Sequence, residues 1–388
     1  MLRHFKFLIV FLLFSCNSEN FLIKVTNDLN INRSFETVEL DLNLFPQKLI
    51  NNISEYGIFD LKNNLLLSQI IDNNLDGKND IIIFQPQIDS NSSVNFLFKK
   101  KNKSNIKKDK NICYSNLITK RMDDFAWEND RVAFRTYGPE AQRLILNNKK
   151  GGIISSGIDC WLKRVEYPII EKWYAQHFEK ISSYHEDIGE GLDNYHVGKS
   201  RGAGGFSILI DKEYYNSRNF IKSRIISNGP LRTIFELEYE DWNIPKGYIE
   251  EKKIISLDKG NNLCKIAVQI KGTKSISPGI FLNEFDGKIS KNLKNSWVSY
   301  WQPHYDSELG NALLSKNKYI IGSHKYFGEG LDKNHLYLDL KVVDNYVEYY
   351  TGFTWLKSNQ FNDKESWNSY LDNFSMKLNN PLKIEIIL

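Results

Sequence analysis

Long runs of period-two alternation limit what this chain can fold into. Leu231, Thr233, Phe235, Leu237 and Tyr239 line one face of an extended segment, with Arg232, Glu236, Glu238 and Glu240 mostly opposite. Ile266, Val268 and Ile270 repeat the pattern, as do Leu336, Leu338, Leu340 and Val342, and a shorter version runs through Val132, Phe134 and Thr136. Strands this long and regular predict large antiparallel sheets with one wet face. Helical periodicity is scarce. It is confined to the stretch after Pro168 (Ile169, Ile170, Trp173, Tyr174, Phe178, Ile181) and to Trp367, Tyr370, Leu371 and Phe374. No repeat of solenoid or propeller length is present.

The alternation is interrupted once by charge. Lys99, Lys100, Lys101, Lys103, Lys107, Lys108 and Lys110, against Asp109, put +6 into twelve residues. The formal net charge of the whole chain is only +4. A nucleic-acid surface spreads its cations over a face among aromatics, whereas this run is diluted with Asn and Ser. It reads as a solvated linker, and no nucleic-acid partner is expected. Ahead of it, Thr37–Leu42 alternates and Ile81–Phe84 is a short apolar run, which predicts a small β-sandwich over 22–98. The linker covers 99–120, and 121–388 forms the second, larger domain.

Residues 1–16 read as a signal segment. Arg3, His4 and Lys6 precede the apolar run Phe7–Phe14, too short to span a bilayer, and Leu13-Phe14-Ser15-Cys16 resembles a lipobox. Cys16 is then the lipidated N-terminus, and Asn17 after it favours the outer membrane. The only membrane contact expected is this anchor. Cys113, Cys160 and Cys264 are widely spaced, with no metal-type spacing and no disulfide expected.

Two segments could carry sites. Asp72, Asn74, Asp76 and Asp80 bracket Gly77 like the first half of a calcium loop, but Ile83 stands where an EF-hand needs Glu. An Asx-tightened hairpin or a structural calcium both fit. The richer segment is 184–205, which holds six of the chain's 23 glycines together with His185, Asp193, Tyr195, His196 and Arg201. Glycines let backbone approach a ligand closely, and the other side chains supply acids, bases and charge clamps. Trp161, Lys163 and Arg164 upstream, and Trp301 and His304 downstream, offer aromatic faces and cations for an anionic sugar. Elbow, zincin, P-loop and kinase signatures are absent.

The motifs Ser156-Gly157-Ile158-Asp159-x-Trp161-x-Lys163-Arg164, Tyr167-Pro168-Ile169-Ile170-x-Lys172-Trp173-Tyr174 and Tyr184-His185-x-Asp187-x-Gly189-Glu190-Gly191-x-Asp193-x-Tyr195 are long and specific. Val197-Gly198, Gly204-Gly205 and Thr351-Gly352-Phe353-x-Trp355 accompany them. Together they resemble a domain-of-unknown-function family of polysaccharide-utilisation loci, and are similar to the ulvan oligosaccharide dehydratases. The resemblance implies an N-terminal β-sandwich followed by a galactose-mutarotase-like antiparallel super-sandwich. It also implies a dehydratase acting on the non-reducing-end uronic acid of a sulfated oligosaccharide. The chemistry needs a base for H5, with His185, Tyr195 and His304 as candidates, and a cation for the carboxylate, from Arg201, Lys163 or Arg164. Asp193, Trp161 and Trp301 are further expected sugar contacts. No cofactor is required for elimination. A polysaccharide lyase and a non-catalytic glycan-binding lipoprotein are the rival readings.

Overall fold

A computed structural model of the chain describes residues 20–102, 111–245, 247–283 and 287–387. Cys16, the rest of the expected signal segment and Lys103–Lys110 lie outside them.

The fold is mainly β and antiparallel throughout its sheets. At the N-terminus, Phe21–Asn27, Ser92–Lys100 and Tyr56–Phe59 face a three-stranded sheet of Val38–Asp41, Ile81–Phe84 and Ser68–Ile71. Ile23, Val25, Leu40, Ile58, Ile82 and Phe98 fill the space between. The strand Lys383–Ile387 returns from the far end of the chain and pairs with Phe21–Asn27, Val25 opposite Ile384. The chain's last strand therefore belongs to this first sandwich and not to the second domain. The boundary before the second domain also moves, because Tyr114–Ile118 is already its first strand.

The larger unit has three sheets around one core. Its main sheet runs through Phe220–Ser227, Arg232–Tyr239, Gly247–Asp258, Leu263–Lys271, Tyr346–Trp355, Ser307–Ser315, Trp297–His304 and Lys288–Asn292. Across the core stand two five-stranded sheets. One contains Ala203–Ile210, Ser275–Phe281, His335–Lys341 and Ile320–Tyr326, and the other Asp124–Glu128, Ala133–Thr136 and Asp159–Lys163. Phe235, Leu237, Ile266, Val268, Leu336, Leu338 and Leu340 are buried here, on the faces their alternation assigned.

The opposite face of Arg232–Tyr239 is only partly wet: Glu238 stays open to solvent with Lys222, while the other end is covered. Ile71 and Ile83 of the first sandwich pack on Ile234 of this face and on Leu231, which stands just before the strand and leaves the core face its alternation assigned, and Glu236 pairs with Lys252 at 2.9 Å. A neighbouring sandwich thus replaces the solvent at that end. Two helices form where the periodicity placed them, Ile170–Phe178 and Lys364–Asn379, the second started by an Asp363–Ser366 capping box. Pro139–Leu146 is an additional helix with proline in its first turn. Among the described residues no helix is long and apolar enough to cross a membrane.

At the Asp72 turn the side chains serve the backbone. Asp72 accepts from Leu75 and Gly77 N–H at 2.7 and 2.8 Å, Asn74 from Asp76 at 2.8 Å, Asp76 from Lys78 at 2.8 Å, and Asp80 from Asn73 at 2.7 Å. These are stacked Asx turns, and among the described residues no three acidic, His or Cys side chains converge as a metal set. Chelation is therefore expected to leave the melting temperature unchanged. A fall on adding EDTA, reversed by calcium, would restore the calcium reading.

Candidate functional site

The glycine-rich segment runs along one end of the super-sandwich and ties its three sheets together. Gly191–Leu192 pairs with Leu162 and Lys163, and Gly202 bridges in parallel to Ile158. Gly202 has φ +57, and a side chain there would stand 2.1 Å from the Ile158 carbonyl oxygen. Three polar clusters hang from this segment.

The first surrounds Arg135. Its guanidinium meets Asp159 and Asp193 Oδ2 at 2.5 and 2.9 Å and Asp124 Oδ2 at 3.6 Å, all buried. Burial pushes Asp124 up to about 6, against the pull of Arg135 and Arg121. Burial and then the Asp193 charge push Asp159 up as well. His185 sits at the rim, its Nδ1 donating to the Asp193 carbonyl at 2.7 Å.

The second cluster lies where the hairpin Trp297–Ser315 meets Asn194 and Tyr195. His304 Nε2 donates to Asn194 Oδ1 at 2.8 Å, so the neutral ring keeps its Nδ1 lone pair, and burial pushes its pKa down to about 4. Gln302 shares that strand face, and its amide atoms are buried and unpartnered. Tyr195 is 5 % exposed and also unpartnered at its hydroxyl, and burial pushes that hydroxyl far up. Burial keeps it protonated, and no hydrogen-bonded base stands at the hydroxyl to take its proton.

The third cluster covers the outer face of the Ser275–Phe281 sheet. Arg201 is 3 % exposed, yet among the described residues it has no carboxylate ion pair. Its Nη1 donates to Ser156 Oγ at 2.9 Å and its Nη2 to the Lys199 carbonyl at 3.2 Å, both neutral acceptors. Glu251, the carboxylate whose charge acts on it, is itself paired to Lys253 at 3.0 Å. Burial accordingly pulls the guanidinium pKa down. His335 Nε2 accepts from the Arg201 backbone N–H at 3.0 Å while its Nδ1 donates to the Lys333 carbonyl at 2.9 Å. Both ring nitrogens are used, and burial with the Arg201 charge pushes its pKa down to about 3. His335 is thereby a neutral support.

Next to it stands a three-residue relay. Asp339 Oδ2 accepts from His324 Nδ1 at 2.8 Å, which fixes the tautomer and leaves Nε2 to accept from the Tyr214 hydroxyl. Ser277 holds the other Asp339 oxygen at 2.7 Å. The Tyr337 ring stacks on Tyr214 at 4.6 Å and lies 5.1 Å from His335. A methyl at Gly279 would be 2.7 Å from Tyr337 Cε1 and 3.2 Å from Arg201 Cγ, so the bare glycine lets the arginine stem lie against that ring. Phe281 and His196 continue the aromatic stripe, with ring centres 5.7 Å apart. The relay residues are far apart in sequence, but one signal was available. The Leu336, Leu338, Leu340 alternation leaves His335, Tyr337 and Asp339 on the other face.

Several expected sugar contacts are structural instead. Trp161 is fully buried, stacked on Trp173 and Tyr184, and cannot offer a face. Trp301 packs beneath Lys364–Asn379 with Trp367 and donates to Glu308 at 2.7 Å. Lys163 is sealed against Glu128 at 2.8 Å and Asp193 is spent on Arg135, whereas Arg164 stays exposed and pairs with Asp187 at 3.0 Å. The fold thus gathers His185, Asp193, Tyr195 and His304 around Asn194, sets Arg201 apart against Ser156 and His335, and places Trp301 and the Asp72 turn elsewhere.

The chain is 42 % identical over 373 residues to the "Uncharacterized protein P7" of Formosa agariphila, covering 95 % of this chain and 94 % of that one. Among solved structures it is similar to a glycosyl hydrolase family 38 protein from Enterococcus faecalis, with a TM-score of 0.51 and 8 % identity. It also matches an alpha-mannosidase from Enterococcus faecalis V583 at a TM-score of 0.45. The first superposition covers 96 % of this chain and 48 % of the other, so the chain spans about half the length of that structure, and at this identity the likeness is one of fold. The model of the family described as "Domain of unknown function (DUF4861)" matches residues 25–384. The chain belongs to that family.

Proposed function

We propose that this chain is a hydro-lyase that removes water from the non-reducing-end uronic acid of sulfated, ulvan-type oligosaccharides, giving a 4,5-unsaturated uronate. The observation that carries the reading is Arg201, a buried guanidinium with no carboxylate ion pair among the described residues, whose stem lies near the same Tyr337 ring on which Tyr214 of the Asp339–His324–Tyr214 relay stacks. H5 is hard to remove while the neighbouring carboxylate is ionised, and an uncompensated cation at low dielectric offsets that charge as the enolate develops. The Tyr214 oxygen takes H5 as its own proton moves to His324 Nε2, and Asp339 steadies the imidazolium. The electron pair of the C5–H bond forms the C4–C5 double bond, and the C4–O pair leaves with the oxygen. A proton returned through Tyr214 completes the water and restores the relay. Atoms and charge balance with no cofactor. His304, with its free Nδ1, is the rival base.

Incubation with a uronate-terminated oligosaccharide tests the function. The expected result is new ultraviolet absorbance from the conjugated uronate with the chain length unchanged. Shorter products would indicate a polysaccharide lyase, and binding without absorbance a glycan-binding protein. Arg201→Ala should lower turnover about 10²–10³-fold and weaken binding too, because the carboxylate is charged in both ground and transition states. Wild-type turnover in that variant would remove Arg201 from the site.

For localisation we infer an outer-membrane lipoprotein anchored through Cys16. Cys16→Ala should move the protein from the membrane to the soluble fraction with activity intact. Soluble wild-type protein would contradict the anchor.

A further inference from the structure

A cleft of about 860 Å³ opens between the N-terminal sandwich, the main sheet and the helix Lys364–Asn379, and shares no residue with the site above. Its lining carries six cations against three carboxylates. Arg232 is neutralised by Asp258 and Glu39, while Lys265 and Lys316 share the single carboxylate of Glu348 at 2.9 and 2.6 Å. Arg131, Lys318 and Lys377 have no carboxylate at ion-pair distance among the described residues. Arg131 instead bonds Asn262 and lies over the Phe361 ring, and Lys318 lies over Tyr319. The wall behind them is aromatic, with Phe374 packed between Tyr350 and Tyr370 at 5.2 and 5.9 Å.

Phe35 stands among the lining residues, 48 % exposed and at φ +53, a backbone region that a bulky residue occupies at a cost. Its ring lies over Gly260, where a side chain would come within 2.3 Å of it. Hydrophobic packing does not account for an aromatic ring held out in a strained conformation over a bare glycine. Stacking on the apolar face of a sugar does, and the excess of cations selects a sugar bearing anionic groups.

We propose that this cleft is a second, non-catalytic binding site for a sulfated oligosaccharide, with Phe35 as the stacking platform and Arg131, Lys318 and Lys377 as the sulfate contacts. The volume falls within the range of small-molecule sites and suits a few sugar units. Such a site would hold a polymer chain on the protein while its end is processed elsewhere. The proposal stands whether or not the chain is a dehydratase.

The test is calorimetric titration of the full chain with a dextran sulfate oligosaccharide and with the unsulfated oligosaccharide of equal length. The sulfated probe should bind and the unsulfated one should not reach saturation. Phe35→Ala should raise Kd about tenfold, while Phe35→Tyr retains binding. The double variant Lys318→Met, Lys377→Met should raise Kd about tenfold or more and flatten the salt dependence. Any turnover on a short substrate should be unchanged in all three. Equal binding of both probes would overturn the proposal. So would wild-type affinity in the Phe35→Ala and double-lysine variants, or loss of the probe only in Arg201→Ala, which would assign it to the other face.

Discussion

Tyr214→Phe lowers turnover on a uronate-terminated oligosaccharide by about 10²–10⁴-fold while the melting temperature barely moves. The hydroxyl is the atom of the relay that meets substrate. His324 fixes its hydrogen bond through a tautomer that Asp339 dictates, and burial together with the Tyr337 and Asp339 charges pushes the phenol pKa up. Left alone, such a phenol is a poor base. It acts only because its proton has somewhere to go as H5 arrives, the role that histidine plays for an activated hydroxyl. Deleting the oxygen leaves His324 half-exposed at the surface, where water takes the lost hydrogen bond, so folding is spared. His324→Gln should fall as far, because it removes the base that takes the phenol proton while filling similar space. Initial rates and melting curves on the two variants check this. A large fall in melting temperature with normal specific activity would make the triad structural.

Arg135→Ala has the largest expected effect on stability, about 3–5 kcal/mol at neutral pH. The substitution leaves Asp124, Asp159 and Asp193 buried together with their counterion gone. Asp124 and Asp159 already have raised folded-state pKa values, so their protonated forms are favoured by folding. Stability from such groups is present below the unfolded carboxylate pKa near 3.8 and is lost as pH rises through the folded values, about 6 for Asp124. The variant should therefore be least damaged in mild acid and worst at neutral pH and above. Denaturant melts at pH 5 and pH 8 measure this. Equal loss at both values would mean that the carboxylates do not feel Arg135 as described.

The core was legible because strand alternation is a local signal. Leu336, Leu338 and Leu340 needed only their spacing to be placed, and so did Phe235 and Leu237. The ends of the chain were not legible in the same way. Lys383–Ile387 pairs with Phe21–Asn27 across nearly the full sequence, a contact that no window of residues contains. Aromatic and basic residues misled for a related reason. Trp161 and Lys163 lie on one strand face, and only the helix Ile170–Phe178 folding over that face decides that they are sealed and not presented. Arg201 was legible as a cation in a glycine-rich segment. That it alone, of the three cations proposed for the carboxylate, has no carboxylate ion pair among the described residues depends on Ser156, Lys199 and the Glu251–Lys253 pair, from three separate segments. The Tyr214 relay depends on three strands meeting, with Tyr214 and His324 110 positions apart in the sequence.

The most direct measurement is mass spectrometry of the product from a uronate-terminated sulfated oligosaccharide, run side by side on wild type, Tyr214→Phe and His304→Gln. Wild type and His304→Gln should yield the same oligosaccharide short of one water, and Tyr214→Phe should return the substrate intact. Unchanged substrate with the wild type would contradict the proposed activity, and full conversion by Tyr214→Phe with none by His304→Gln would move the chemistry to the His304 cluster.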